Sequence, residues 1–273
     1  MITSTTNNKI KNIIKLCTGS KARREQNAFV AEGVKMFIEA PLARIREVYV
    51  NEGLLDKITH VTKNKGSDPE SDLYRECLNK LKNSGYETVN DKVFNKISDT
   101  VTPQGILCVI ENAPQDIEKM VLDHKEGDLR VLVVENIRDP GNLGTMIRTM
   151  EAAGYDFMLA SEGTVDVYNP KVIRSTMGSI YRVPVIYSAD LNKDIDLLKK
   201  EGVKFLAAHL NGQDLTKRVD YGNRLAVMIG NEAAGLSVEI SKKADELVRI
   251  PMKGQVESLN AAVAAAVMMY KLS

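Results

Sequence analysis

The sequence predicts an α/β protein in two parts: a C-terminal domain built on a parallel sheet, and a smaller N-terminal α/β domain before it. Three observations carry that expectation. From Arg130 onward, short and almost uninterrupted apolar runs alternate with helical periodicity, as strands buried on both faces of a parallel sheet do. Before Glu111, shorter apolar runs alternate with amphipathic helices. Between them, ENAPQDIEKMVLDHKEGD is polar and carries Pro114 and Gly127, which suits a junction. The 273 residues also exceed a single domain of about 100–150 residues. The division expected is 1–115, a linker at 116–128, and 129–273.

In the first part, Lys9, Lys11, Lys15, Lys21, Arg23 and Arg24 all precede the first acid, Glu25. Such clustering suits phosphates, and equally a solvated helix face. Ile10, Ile13, Ile14 and Leu16 recur at helical spacing, so the segment reads as an amphipathic helix with a basic outer face. Phe29 to Ala31 reads as a strand, Val34 to Ala40 as a helix stopped by Pro41, and Val48 to Val50 as a second strand. Thr62 to Ser71 is polar, with Gly66 and Pro69, and reads as a loop. A helix follows from Asp72 to Asn83 with Gly85 as its stop, and Val93–Ser98 and Ile106–Ile110 complete the unit.

In the second part, RVLVVENI is a buried strand, Asp139 to Asn142 a turn, and Leu143 to Ala153 a helix ended by Gly154. Further strands are expected at Phe157–Ala160, Arg182–Tyr187, Lys204–Ala208, Leu225–Ile229 and Leu247–Ile250. Helices fall between them at Lys171–Ser179, Ile195–Glu201 and Val238–Ala244. The last helix, Ala261 to Tyr270, carries no charge. It is too short to span a bilayer, which takes about 20 residues, so it is expected to be buried in a core.

Composition narrows the class. With 44% hydrophobic and 27% charged residues the chain is an ordinary soluble one, and a net charge of +1 neither favours nor excludes nucleic acid. Three scattered cysteines, Cys17, Cys77 and Cys108, outline neither a disulfide framework nor a zinc site. MITSTTNNKIKN lacks the apolar core of a signal peptide. A cytoplasmic enzyme or binding protein is expected.

Three strands of the second part end in loops that packing alone does not explain. The first is NIRDPGNLG from Asn136, with Arg148 on the helix beyond it; the second is GNEAAGLS from Gly230. The third, IPMKGQVESLN from Ile250, crowds Glu257, Ser258 and Asn260 at the mouth of the apolar helix. Taken alone, that third stretch is also what a capped core helix looks like. Ligands of parallel sheets sit beyond the carboxyl ends of strands. The loops contain no G-x-G-x-x-G dinucleotide fingerprint, no G-x-x-x-x-G-K-[ST] phosphate loop and no G-x-S-x-G elbow. His60, His124 and His209 stand at no metal-ligand spacing, so no metal is expected.

Together, NIRDPGNLGTMIRTMEAAG (136–154), VMIGNEAAGLS (227–237) and IPMKGQVESLNAAVAAAV (250–267) resemble the three motifs of the SpoU (TrmH) family of RNA 2′-O-ribose methyltransferases, in order and at the family's spacing. The stretch NNKIKNIIKLCTGSKARREQNAFVAEGVKMFIEA is more loosely similar to the substrate-binding domain that precedes the catalytic domain in many members. The resemblance implies a parallel-sheet domain with a deep trefoil knot, S-adenosylmethionine (SAM) as methyl donor, and a homodimer. It implies that backbone groups at Gly230, Ile250 and Leu259, with Met252 and Asn231 beside them, hold the cofactor. Arg148 matches the family's central arginine. A guanidinium is a poor base, so its implied role is to grip a substrate phosphate and stabilise developing alkoxide charge, against the alternative of a surface arginine. Asn142 and Glu232 would shape the pocket, and Ser258 and Asn260 would hydrogen-bond near the transferred methyl; for Glu232 and Ser258, helix or loop capping is the competing role.

Many members follow S-L-N with Val-Ser-Val, where this chain has Ala261-Ala262-Val263, which points to a different subgroup. Because an N-terminal domain is present, ribosomal RNA is the expected substrate. A transfer-RNA methyltransferase, or an RNA-binding protein of the same fold without catalysis, are the alternatives.

Overall fold

The computed structural model describes residues 1–63, 68–125, 127–216 and 221–272. They form two compact units: Met1–Ala113 with Tyr168–Tyr181, and Pro114–Val167 with Arg182–Ser273.

The first unit is built on strands β1 (Ala28–Glu32), β2 (Ile45–Asn51), β3 (Glu87–Val89) and β4 (Ile106–Glu111) in the order β1-β4-β2-β3. β4 runs antiparallel to β1 and β2, while β2 and β3 are parallel. β4 takes a central place because Ile106 to Ile110 are all buried, a pattern that only a strand covered on both faces satisfies. The helix Asn8–Thr18 forms where the isoleucine spacing placed it, with Ile10, Ile13 and Leu16 fully buried. It ends at Gly19, and a second helix, Ser20–Gln26, follows.

Not all of the basic cluster faces solvent. Arg23 is buried and donates to the carbonyls of Leu16 (2.6 Å) and Cys17 (3.2 Å), closing the carbonyl end of the first helix. Lys9 pairs with Glu87. Lys9, Lys11, Lys15, Lys21 and Arg24 are exposed, Lys21 pairing with Glu25 at 3.7 Å.

Two readings of this unit change. A helix not expected from the sequence spans Glu52–Lys63, burying Leu54 and Ile58. The polar stretch read as a loop to Ser71 is already helical at Pro69, because Asp68 accepts from the N–H groups of Glu70 and Ser71 and proline suits the first turn. The middle of that stretch, 64–67, lies outside the described residues. Burial pushes the Cys77 and Cys108 thiols up to about 12, so both behave as apolar packing groups.

The segment Tyr168–Tyr181 packs in this unit although it lies far along the chain. Tyr168 stacks on Phe29 at 4.7 Å, Arg174 pairs with Asp99 at 2.8 Å, and the Tyr181 hydroxyl donates to the Met36 carbonyl.

The second unit contains strands β5 (Leu129–Val134), β6 (Phe157–Ser161), β7 (Val185–Ser188), β8 (Lys204–Asp214), β9 (Arg224–Ile229) and β10 (Glu246–Arg249). All neighbours are parallel, in the order β10-β8-β9-β5-β6-β7. One face buries Val131, Val133, Phe157, Leu159, Phe205 and Met228 against helical residues such as Ile195, Leu198 and Ile240. β8 runs well past the expected Ala208, and β7 starts later than the expected Arg182.

The stretch read as a linker holds a helix, Ile117–Asp123, capped by Asp116 and anchored by buried Val121 in this core. The expected turn at Asp139–Asn142 is the cap and first turn of the helix Pro140–Ala153: Asp139 accepts from the Asn142 N–H, and Pro140 needs no donor there.

The last helix, Ala261–Leu272, is not buried all round. Ala261, Ala262, Ala265, Met268 and Met269 pack inward, but Val263, Val267 and Tyr270 are 47%, 39% and 59% exposed along one stripe.

Candidate active site

Parallel strands release all their carboxyl ends at one edge, so the loops after β5, β9 and β10 emerge together. The loop after β9 is tightly closed. The backbone groups of Asn231 and Gly235 pair in both directions, at 3.0 and 2.9 Å, with Gly235 at φ +69°. Gly230 is required: a Cβ there would lie 2.0 Å from the Gly235 carbonyl carbon. The Asn231 side chain accepts from the N–H groups of Ala233 and Ala234 and donates to the Asn136 carbonyl at 2.9 Å, so both ends of its amide are spent holding this loop to the one after β5.

A run of side chains then ties all three loops together. Glu232 Oε1 accepts from Asn142 Nδ2 (2.9 Å), and Asn142 Oδ1 accepts from Asn260 Nδ2 (3.0 Å). Asn260 Oδ1 in turn accepts from the N–H groups of Ala262 (2.9 Å) and Val263 (3.3 Å), capping the last helix. A carboxylate only accepts, so Glu232 fixes which way the Asn142 amide points, and Asn142 fixes Asn260. Three of the sequence-derived site residues are thus brought into one directed chain.

Arg148 and Ser258 stand outside it. Arg148 is exposed on the Pro140–Ala153 helix, without an ion pair or hydrogen bond among the described residues, and Ser258 is exposed in the loop after β10. That loop offers Ile250, Met252 and Leu259 as half-buried apolar side chains. From Ile250 to Leu259 its N–H and C=O groups bond to no other backbone group among the described residues. Apolar walls with open backbone donors and acceptors fit the adenosine of SAM.

Two further residues were not anticipated. Glu135 and Arg138 line an open cleft of about 310 Å³ with Asn136, Asn231 and Ser237. Glu135 is 8% exposed and its Oε2 accepts from the Ser237 N–H at 2.7 Å. Asn136 turns the chain between them at φ +57°, a conformation asparagine tolerates, with its N–H on Ser161 Oγ. The one sequence cue for Glu135 was an acid closing the apolar run VLVV.

Residues 129–270 match the SpoU rRNA methylase family, and residues 7–108 match the MRM3-like substrate-binding domain. The chain belongs to the SpoU rRNA methylase family. It is 35% identical, over 99% of its length and 98% of the relative's, to the Bacillus subtilis 23S rRNA (guanosine(2553)-2′-O)-methyltransferase RlmP. An rRNA methyltransferase from Sinorhizobium meliloti superposes with a TM-score of 0.80 at 28% identity, covering 99% of this chain and 96% of that one. Its AdoMet-bound form gives 0.79 at 28% identity with the same coverage. The SpoU chain described here is accordingly an RNA methyltransferase with the family's α/β fold.

Proposed function

We propose that this SAM-dependent RNA methyltransferase transfers its methyl group to a ribose 2′-hydroxyl of large-subunit ribosomal RNA, as a homodimer. The observation that carries the reading is the directed chain Glu232–Asn142–Asn260, which joins the three loops at the carboxyl edge of the sheet. RlmP of Bacillus subtilis, similar over its whole length, acts by its name on a guanosine of 23S rRNA.

When bound, the cofactor would supply an electrophilic methyl group on a cationic sulfur, open to in-line attack by the ribose oxygen, with the carbon–sulfur bond breaking as the carbon–oxygen bond forms and the neutral thioether leaving. The protein must align the two, exclude water and help a weak acid lose its proton. Backbone groups at Gly230, Ile250 and Leu259, beside Met252 and the loop held by Asn231, hold the cofactor. Asn142 and Asn260 are oriented by Glu232 to hydrogen-bond near the reacting oxygen, and Ser258 adds a hydroxyl there. Arg148 grips a substrate phosphate and stabilises negative charge on the oxygen; an exposed guanidinium without an ion pair or hydrogen bond among the described residues is available for that.

The exposed stripe Val263, Val267 and Tyr270 supports the dimer, because an apolar helix face is left for another chain to cover. Threading of the C-terminal segment into the family's knot belongs to the same proposal, supported by packing of the Ala261–Leu272 helix on the Pro140–Ala153 helix and β9. Residues 1–115 would bind rRNA through Lys11, Lys15, Lys21 and Arg24, with 129–273 catalytic. A cytoplasmic location is proposed too; among the described residues no helix is long and apolar enough to cross a membrane.

Incubation with labelled SAM and rRNA from a host lacking the modification should label 23S rRNA, with ribose mapping placing the methyl on a 2′-oxygen. Transfer to transfer RNA alone, or to no RNA, would sink the reading.

A further inference from the structure

The two faces of the sheet in the first unit are covered by helices of different character. Leu107 and Val109 of β4 pack with Ile10, Ile13 and Leu16 of helix Asn8–Thr18 and with Val93, Phe94 and Ile97 of helix Asp91–Ile97, so these two helices share one face. They run side by side in the same direction. The Asn90 N–H, at the start of the second, donates to the Ile2 carbonyl ahead of the first, and Cys17 Sγ, near the end of the first, lies 3.8 Å from the Ile97 carbonyl that ends the second. A reciprocal amide pair between Asn12 and Gln26, at 3.0 and 2.9 Å, ties helix Ser20–Gln26 beside them.

The acids around this surface are already engaged: Glu25 with Lys21, Glu87 with Lys9, Asp99 with Arg174, and Asp91 as acceptor from Asn51 Nδ2 at 2.9 Å. Lys11, Lys15, Arg24, Lys92 and Lys96 are exposed and have no ion pair or hydrogen bond among the described residues. Lys11 and Lys15, like Lys92 and Lys96, stand one turn apart on the same side of a helix. The result is two rows of unpaired cations on neighbouring helices, whose axes pack about 8–10 Å apart. Helices Glu52–Lys63 and Pro69–Ser84, over the other face, differ: Lys57 pairs with Glu70, Arg75 with Asp72, and Lys80 turns onto the carbonyls of Ile38 and Ala40.

Rows of free ammonium groups suit phosphates, and the side chains between them decide the form of the nucleic acid. Single strands are held by stacking their bases on aromatic rings, and the three helices expose none; their one aromatic residue, Phe94, is fully buried. An RNA double helix hides its bases and is recognised through phosphates and 2′-hydroxyls. Lysines with the exposed amides of Asn8 and Asn95 supply the donors for both.

We infer that the first unit grips a double-helical segment of the substrate RNA by its backbone, with Lys92 and Lys96 sharing the contact with Lys11 and Lys15. This rests on the RNA methyltransferase reading and deepens it by naming the form of RNA and a second helix that holds it.

The test measures binding to the full chain without SAM, so its outcome does not depend on methyl transfer. The probes are an RNA hairpin with a stem of about 16 base pairs, the span of a duplex-binding domain, and oligouridine with as many nucleotides. The hairpin should bind about tenfold more tightly, and log Kd should rise with log salt with a slope of about 4–5 for five cations. In Lys92→Gln/Lys96→Gln that slope should fall by about 2 and affinity by about tenfold, equally for stems of different sequence. Lys11→Gln/Lys15→Gln should repeat the loss. Lys82→Gln, at an exposed position over the other face, should leave slope and affinity unchanged.

An unchanged slope in Lys92→Gln/Lys96→Gln, or an equal loss in Lys82→Gln, would overturn the placement of the surface. Tighter binding of oligouridine than of the hairpin would overturn the duplex. Hairpin binding as expected, with no RNA methylated, would sink only the methyltransferase reading.

Discussion

The loops after β9 and β10 leave the same sheet edge and serve the same site, yet they are built in opposite ways. The loop after β9 satisfies itself: a backbone pair between Asn231 and Gly235, a side chain bonded at both ends, and a glycine with no space for a Cβ. The loop after β10 is exposed from Lys253 to Ser258 and, among the described residues, keeps its backbone groups unspent until Asn260 anchors it to Asn142. One loop is a template formed before any ligand arrives, which lowers the ordering cost of binding. The other keeps donors and acceptors for the ligand to satisfy.

The largest effect is expected at the closed loop. In Gly230→Ala the new Cβ meets Gly235 and Leu236 backbone atoms at 2.0 to 2.3 Å, and backbone cannot step aside as a flexible side chain can. The substitution should cost about 3 kcal/mol of stability and abolish SAM binding. Wild-type affinity by calorimetry in this variant would show that the closed loop is not part of the cofactor site.

Arg148→Ala should be nearly as severe for turnover and very different for binding. Transfer should fall by about 10²–10³ with SAM affinity retained, because the residue is exposed and makes no hydrogen bond or ion pair to either loop among the described residues. Loss of both together would make it a pocket support. Asn142→Asp comes next. It replaces the donor facing Glu232 with a second acceptor and removes one link between the loops, which should cost about 1–3 kcal/mol in thermal unfolding. Asn142→Ala should cost less than Asp; the reverse order would show that Glu232 does not set the direction of the chain.

The same contrast marks what was legible in the sequence. Glycines and asparagines at strand ends pointed to all three loops, and the apolar runs gave every strand of the parallel sheet, because local composition decides both. The partner of each asparagine was not legible: Asn142 and Asn260 are far apart in the chain and meet only because parallel strands release their ends together. The same holds for β4 inserting between β1 and β2, and for Tyr168–Tyr181 joining the first unit. Helix Glu52–Lys63 did carry a local cue, Leu54 and Ile58 one turn apart, but its polar neighbours obscured it. Glu135 escaped notice because an acid closing a strand usually marks a return to solvent, and burial against Ser237 is a tertiary fact.

The smallest effect is expected at Gly254, and it is the sharpest check on the contrast. A Cβ built there meets nothing within 4 Å, and its φ lies outside the left-handed region, so Gly254→Ala introduces neither clash nor backbone strain. Alanine narrows the range of backbone conformations open to a chain without native contacts, an effect of about 0.4–1 kcal/mol where the native conformation accepts it. Thermal unfolding should therefore hold or rise by a few degrees, and SAM affinity should stay within about threefold of wild type, a span of under 1 kcal/mol. Gly230→Ala measured beside it supplies the scale. If Gly254→Ala instead abolished SAM binding while the fold persisted, a ligand atom must approach that backbone as closely as Gly235 approaches Gly230. The loop after β10 would then be a second template, and the division between the two loops would fall.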